Sequence, residues 1–145
     1  MGAPLYDATA RGQLVALTFM QDAVAASQTN VQLPIAEVAA GAQNAIAGYI
    51  MPRGGEIVGI SWLLTAAGTA GVFTIGPTIG GTEQATLTQT VGTAASGYQW
   101  LSVDKVAPIS FVAGNEIGAE ITTDGSWDGT SSDLFVTVWV LLDIV

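Results

Sequence analysis

Turn-forming residues divide this chain into short segments at intervals of about ten residues, and this spacing most constrains its fold. From Val31 onwards, runs rich in Val, Ile and Thr are separated by clusters of Gly, Pro, Asn and Asp. "PRGG" and "AAGTAG" are two such clusters, and "EIGAEITT" is a run in which polar and apolar residues alternate. This pattern is typical of antiparallel sandwiches and barrels. No convincing helical segment lies between the runs, which argues against a parallel βαβ architecture.

We therefore predict an all-β protein in which residues 31–145 form an antiparallel two-sheet β-sandwich, a jelly roll of about eight strands. Residues 1–30 are rich in Ala and Gln and fit helix and strand periodicity equally well, so we predict an N-terminal arm there. The arm is too apolar for solvent and is expected to lie on its own domain or on a neighbouring subunit. The arm side chains predicted at an interface are Leu14, Leu17, Phe19 and Met20.

The last segment, "LFVTVWVLL", is apolar on both of its faces. One face carries Leu and Val alone, whereas Phe135, Trp139 and Leu141 dominate the other. An antiparallel strand of an isolated sandwich normally keeps one face polar. We therefore expect the second face to be covered by the arm or by another subunit, with Trp139 at the interface.

Charged residues make up 10% of the chain, against roughly 25% in an average soluble domain. A soluble protein with so few charges is expected to hide much of its surface against other subunits. The net charge is −9, and Arg11, Arg53 and Lys105 are its only cations. Nucleic acids and anionic membrane surfaces both require clustered basic residues, so neither is an expected partner. Arg53 is either an interface residue that pairs with an acid or an ordinary turn arginine.

The chain contains no cysteine and no histidine, which excludes disulfides, Ser-His-Asp triads and zinc sites that use these residues. Glu116 and Glu120 would lie about 13 Å apart on one strand, too far apart for a glycosidase pair. "GPTIGG" lacks the Lys-Ser/Thr of a phosphate loop. We therefore expect no enzymatic activity and no cofactor.

An uncharged stretch over residues 57–82 is long enough to span a bilayer. Its glycines would leave backbone groups unsatisfied in lipid, and "AAGTAG" is a turn signal, so two strands are the better interpretation. We expect no membrane partner, and the first residues do not resemble a secretory signal.

The segment "TTDGSWDGTSSDL" contains the densest group of polar residues. Asp124 and Asp128 are weak candidates for a calcium site, because Asp124, Asp128 and Asp133 are spaced four and five residues apart and no closing glutamate follows. Asp-Gly pairs are also common turn formers. Trp127 is predicted at the loop tip, where an indole stacks on a sugar or packs at a protein interface. A turn whose tip makes a contact is the favoured interpretation.

The segments "GYIMPRGGEIVGISWLLTAAGTAGVFTIG", "FVAGNEIGAEITT" and "DLFVTVWVLL" resemble jelly-roll virion proteins of tailed bacteriophages. The likeness covers roughly residues 32–145 and is to capsid decoration (head-stabilisation) or head-fibre proteins, in which an N-terminal arm precedes a small β-sandwich. It implies a non-enzymatic homotrimer made in the host cytoplasm. This trimer would bind the major capsid protein on the capsid exterior, with the arm on a neighbouring subunit, and stabilise the shell. No functional residue is carried over, because the likeness has no diagnostic motif.

Two other functions agree with the sequence. One is a sugar- or receptor-binding β-sandwich of a virion fibre, with Trp127 and its aspartates as the site. The other is a major coat or tail subunit that assembles alone. All three are structural or binding roles, and they differ in the partner.

Overall fold

The strands alternate apolar and polar residues, and the chain folds into β-strands joined by turns. The computed structural model describes residues 12–36, 48–92, 97–102, 109–129 and 132–144, and for 97–102 it describes the backbone alone. The strands in these residues are β1 (Gln13–Gln21), β2 (Val31–Gln32), β3 (Gly48–Ile50), β4 (Gly55–Leu64), β5 (Phe73–Ile79), β6 (Thr82–Glu83), β7 (Gln89–Val91), β8 (Gly97–Ser102), β9 (Ile109–Phe111), β10 (Glu116–Thr123) and β11 (Leu134–Leu142). One short 3-10 turn, Ala85–Leu87, lies between β6 and β7.

The strands form two antiparallel sheets. Sheet A has the order β1-β11-β4-β8, and β9 also pairs with β4. Sheet B has the order β2-β10-β5-β6, with β3 pairing with β10 and β7 with β5. The predicted all-β antiparallel two-sheet sandwich is confirmed.

Three strand positions are interrupted, which accounts for the number of short strands. β8 and β9 pair with successive parts of β4, β2 and β3 pair with parts of β10, and β6 and β7 pair with parts of β5. Counting each such pair as one position leaves eight positions, four in each sheet, as in a jelly roll. This agrees with the predicted number of about eight strands.

The core lies between the sheets and is filled by the inward residues of each strand. In β11 these are the five residues of the Leu/Val face, all buried. Trp62 and Phe73 pack edge to face with ring centroids 5.2 Å apart, and Phe73 packs in the same way on Trp127, also at 5.2 Å. This row of three aromatic rings joins sheet A, sheet B and the loop after β10.

Residues 22–30 carry the chain from sheet A to sheet B. Val24 is fully buried, and its N–H donates to the Ser132 carbonyl at 2.9 Å. Thr123 fixes the second half of the crossing, because its hydroxyl accepts from the Gln28 N–H at 2.9 Å and donates to the Ala25 carbonyl at 2.7 Å. The crossing is therefore held by contacts between residues that are nearly a hundred positions apart in sequence.

Part of the predicted arm is a strand of the sandwich. Residues 13–21 form β1, which pairs along its whole length with β11. Of the two surfaces that the sequence left open for the arm, this part occupies its own domain. Residues 1–11 lie outside the described residues, and for them the arm remains a prediction.

In the segment predicted as two strands instead of a membrane span, β4 and β5 are present and a turn joins them. Within the described residues, no helix is long and apolar enough to cross a membrane.

Candidate functional site

The outward face of sheet A is the most unusual surface of the described structure. We define the sheet A outer face as the side chains on its strands that point away from sheet B. They alternate along each strand with the buried core residues. Its described members are Leu14, Ala16, Thr18 and Met20 of β1, Phe135, Thr137, Trp139 and Leu141 of β11, Glu56, Ser61 and Leu63 of β4, and Ser110 of β9.

Large apolar side chains lie at both ends of this face. Leu14 is 57% exposed at one end, where it pairs with Leu141. Phe135 is 43% exposed at the other end, between Met20 and Leu63 on the neighbouring strands. Two large apolar side chains are therefore exposed on one face of the same sheet, which makes this face a candidate binding surface.

Trp139 lies near the centre of the face, and its polar atom is already satisfied. Its Nε1 donates to the Ser61 hydroxyl at 3.1 Å, which holds the indole against β4. Gly59 pairs with Trp139 across the strands and has no side chain to displace the ring. The half-buried indole therefore presents an apolar surface with no unmet hydrogen-bond donor.

Charge is nearly absent from the sheet A outer face. Nine Asp and Glu residues fall in the described ranges, and of these Glu56 alone lies on this face. Asp22, Asp133 and Asp143 lie just beyond the ends of β1 and β11. Charge is therefore placed at the rim and kept from the centre of the face, and depletion of charge at the centre is a feature of protein–protein interfaces.

Apart from the exposed Ile50 at one end, the outer face of sheet B is polar. Gln32 donates from Nε2 to Oε2 of Glu120 at 2.8 Å and accepts from the Thr78 hydroxyl at 3.1 Å. Glu120 is 5% exposed, and burial together with the charge of Glu83 raises its pKa, while the bond from Gln32 lowers it. This face satisfies its polar groups internally, as a surface that needs no partner does.

The loop after β10 is a capped turn. Oδ1 of Asp128 accepts from the backbone N–H groups of Thr69 at 2.7 Å and Ala70 at 3.0 Å, and its Oδ2 accepts from the Thr69 hydroxyl. These bonds lower the pKa of Asp128, with the Thr69 hydroxyl bond contributing most. Asp124 accepts from the N–H groups of Val72 at 3.2 Å and Ser126 at 3.0 Å. Both carboxylates therefore act as turn caps.

No group of three or more His, Cys, Asp or Glu side chains that could hold a metal ion occurs in the described part of the chain. Asp124 and Asp128, which precede and follow Trp127 in the sequence, both accept hydrogen bonds from backbone N–H groups. Asp133 accepts from the Ala23 N–H at 3.3 Å. Asp124 and Asp128 thus hold the turn between β4 and β5, and Asp133 holds the segment after β1.

The prediction that Trp127 lies at an exposed loop tip is corrected by the structure. Trp127 is 3% exposed, and its Nε1 donates to the Val24 carbonyl at 3.1 Å. Two glycines make room for this residue. A Cβ on Gly71 would lie 2.4 Å from the Trp127 backbone nitrogen, and a Cβ on Gly129 would lie 2.3 Å from the indole ring. An indole enclosed in this way has no face free to stack on a sugar.

The other predicted interface residues on β1 and β11 divide into an outward-facing and a buried group. Leu14, Met20 and Trp139 lie on the sheet A outer face. Leu17 and Phe19 are 5% and 2% exposed, inside the core of their own subunit, because they point to the opposite side of β1.

Arg53 lies at the end of the sandwich and donates from Nη1 to the Asp143 carbonyl at 3.2 Å. Three exposed apolar side chains, Ile50, Val112 and Ile144, lie on segments that meet at this end of the sandwich. The Met51 N–H donates to the Asn115 carbonyl at 2.9 Å, and the Asp143 N–H donates to the Gly54 carbonyl.

Sequence reasoning placed Phe135 and Leu141 on the face of the last strand that was expected to be covered, and it missed Leu63, which belongs to the same face. The alternation in "LFVTVWVLL" already separates Phe135 and Leu141 from the core residues. Leu63 gives no such signal, because "SWLL" is apolar at three consecutive positions and only the register with β11 shows which one points outward.

No family model matches the chain, and no curated protein matches it. Among solved structures, the chain is similar to a chain of the native virion of Kashmir bee virus at neutral pH. The two share 12% sequence identity with a TM-score of 0.39, over 92% of this chain and 72% of that chain. The jelly-roll assignment therefore rests on the strand order described above.

Proposed function

We propose that this chain is a structural virion protein that binds the outside of a phage capsid as a homo-oligomer and stabilises the shell. The observation that carries the proposal is the sheet A outer face, whose described members are mostly apolar and include a single charge although the chain has a net charge of −9. An antiparallel sheet exposed to water normally alternates polar and apolar residues. A sheet that is apolar on both sides is built to be covered on both sides.

The distribution of polar groups supports a structural role. The described carboxylates with resolved partners cap turns or join neighbouring strands, as Asp128 and Glu120 do. The chain contains no cysteine or histidine to supply a nucleophile or a general base near neutral pH. Polar side chains that stabilise loops and sheets are what an assembly protein requires.

The phage assignment draws on the resemblance of residues 32–145 to jelly-roll decoration proteins. The eight strand positions agree with that resemblance. In this proposal the residues before Gly12 reach a neighbouring subunit or the major capsid protein. Each arm contact is weak by itself, and repetition over a lattice raises the overall avidity.

The arm proposal is tested by a truncation that ends before β1. Deleting residues 1–28 would remove β1 and buried Val24 and would damage the sandwich. Deleting residues 1–11 leaves β1 intact. We expect the shorter truncation to retain the circular dichroism spectrum and thermal midpoint of the full chain and to lose capsid binding in a co-sedimentation assay. Full binding by this truncation would contradict the arm proposal.

The capsid proposal is tested by electron microscopy of the native assembly, with light scattering of the purified chain. A discrete small oligomer that adds regular density to the outside of capsids is the expected result. Large shells or tubes formed by the chain alone would point instead to a coat or tail subunit, and a chain that binds no capsid would overturn the proposal.

A further inference from the structure

We propose that the sheet A outer face is the surface through which two copies of this chain associate, with the two sheets packed face to face. This rests on the proposed function, because it names the partner of the surface that carries it. The occupant is a second copy of this chain.

Charge favours a second copy as the occupant. A chain with a net charge of −9 repels its own copies over most of its surface. The sheet A outer face is where that repulsion is weakest, because Glu56 is its single described charge. A cationic partner would gain nothing at such a face, whereas an identical apolar face meets it without a like-charge pair at the centre.

The size of the face is sufficient for a specific interface. Four strand positions at about 4.8 Å and nine residues at about 3.3 Å each span roughly 19 by 30 Å. That corresponds to roughly 600 Å² from each copy and roughly 1,200 Å² in total, the lower end of the range for specific complexes. Crystal-packing contacts are mostly smaller, so this face is large enough to hold two copies together.

The indole at the centre of the face is compatible with burial. The Trp139 indole nitrogen and the Ser61 hydroxyl already bond to each other. The other central side chains are small, namely Ala16, Thr18 and Thr137. Two sheets that pack face to face lie about 10 Å apart, with side chains of moderate size between them. A flat centre with larger side chains at both ends meets this requirement.

The proposal is tested by placing a cation at the centre of the face. Thr137 lies near the middle of β11, and Thr74 lies on β5 at the outer face of sheet B, so Thr137→Lys and Thr74→Lys are matched changes. We expect Thr137→Lys to raise the self-association dissociation constant about 100-fold, because it puts like charges together at a desolvated centre. Thr74→Lys should change it less than about threefold. Sedimentation equilibrium measures both constants.

A second pair of measurements keeps the test valid if Thr137→Lys folds poorly. Phe135→Lys alters a side chain that is 43% exposed and should weaken association without changing the thermal midpoint of the monomer. The chain has no cysteine, so Thr137→Cys and Thr74→Cys each introduce one thiol. A bismaleimide with a reach of about 10 Å should link two copies through position 137, the spacing expected of packed sheets, and not through position 74.

The outcomes separate this inference from the proposed function. A monomeric native chain, or equal self-association of Thr137→Lys and Thr74→Lys, would overturn the inference. If Thr137→Lys self-associated like the native chain but lost capsid binding, the face would belong to the capsid contact and the proposed function would stand. A native chain that neither self-associates nor binds capsids would overturn both.

Discussion

The role of Trp127 gives the sharpest test of the structure, because the sequence alone favoured a contact at an exposed tip. We predict that Trp127→Ala severely destabilises the protein. Its indole is 3% exposed, packs edge to face on Phe73 with centroids 5.2 Å apart, and donates to the Val24 carbonyl. Removing the ring leaves a cavity between the loop, sheet B and the segment that follows β1.

The expected loss follows from these contacts. Truncating a buried Trp to Ala typically costs about 3–5 kcal/mol, mostly through the cavity and lost packing. The Val24 carbonyl also loses its donor, which places the value at the upper part of that range. Trp127→Phe keeps most of the packing and loses the N–H, so it should cost about 1–2 kcal/mol. The total free energy of unfolding of a domain is typically about 5–15 kcal/mol, so the loss in Trp127→Ala is a large share of it.

Urea denaturation followed by far-UV circular dichroism measures the loss. With a slope of about 2 kcal/mol per molar urea, Trp127→Ala should lower the midpoint by roughly 2 M. Trp139→Ala is the matched control, since this half-buried indole lies on the sheet A outer face. At a subunit concentration low enough for monomers, its midpoint should fall by less than half as much. A shift below about 0.5 M for Trp127→Ala would refute the buried placement.

Three further predictions test the polar groups and the turns. Glu120→Gln should be more stable than the native chain at pH 7, because burial disfavours the ionised carboxylate and raises its pKa. The difference should vanish as the pH falls to the ordinary glutamate pKa of 4.5. Urea midpoints at both pH values measure this. Asp128→Ala should lower the thermal midpoint at pH 7. The difference from the native chain should shrink as the pH falls through the lowered pKa of the Asp128 carboxyl, because the protonated group is a weaker acceptor. A difference in thermal midpoint that does not change with pH would contradict this. Gly71→Ala should lower the free energy of unfolding by at least about 3 kcal/mol and Gly114→Ala by about 1–2 kcal/mol. Both glycines have positive φ, but of the two only a Cβ at Gly71 would meet neighbouring atoms. Equal urea midpoints for the two variants would show that the close contact has no effect.

The sequence predicted the sandwich well because its evidence is local. Alternation in β10 and β11 separates core from surface residues without any knowledge of the partner strands. Turn clusters mark most of the strand ends, and their regular spacing leaves room for a sandwich or barrel. The apolar second face of β11 was visible in the same way, and it led to the sheet A outer face.

The sequence could not place the residues whose environment depends on distant segments. Trp127 is buried because Val24, 103 positions away, and the turn at Gly71 enclose it. In isolation, an indole between two Asp-Gly pairs has the composition of an exposed turn. The ambiguity over residues 13–21 has the same origin, because only pairing with β11 selects the strand over the helix.

The contrast between the two outer faces is the strongest reason to look for the function in assembly. Sheet B retains Glu120 at its outer face even though burial raises the pKa of that carboxyl. Gln32 donates to the carboxyl and in turn accepts from the Thr78 hydroxyl. A chain able to maintain such a network on one sheet is under no chemical constraint to leave the other sheet apolar. An exposed apolar sheet risks aggregation, and a partner that covers it removes that risk. The apolar residues of sheet A are therefore best explained by a surface that is covered when the protein functions.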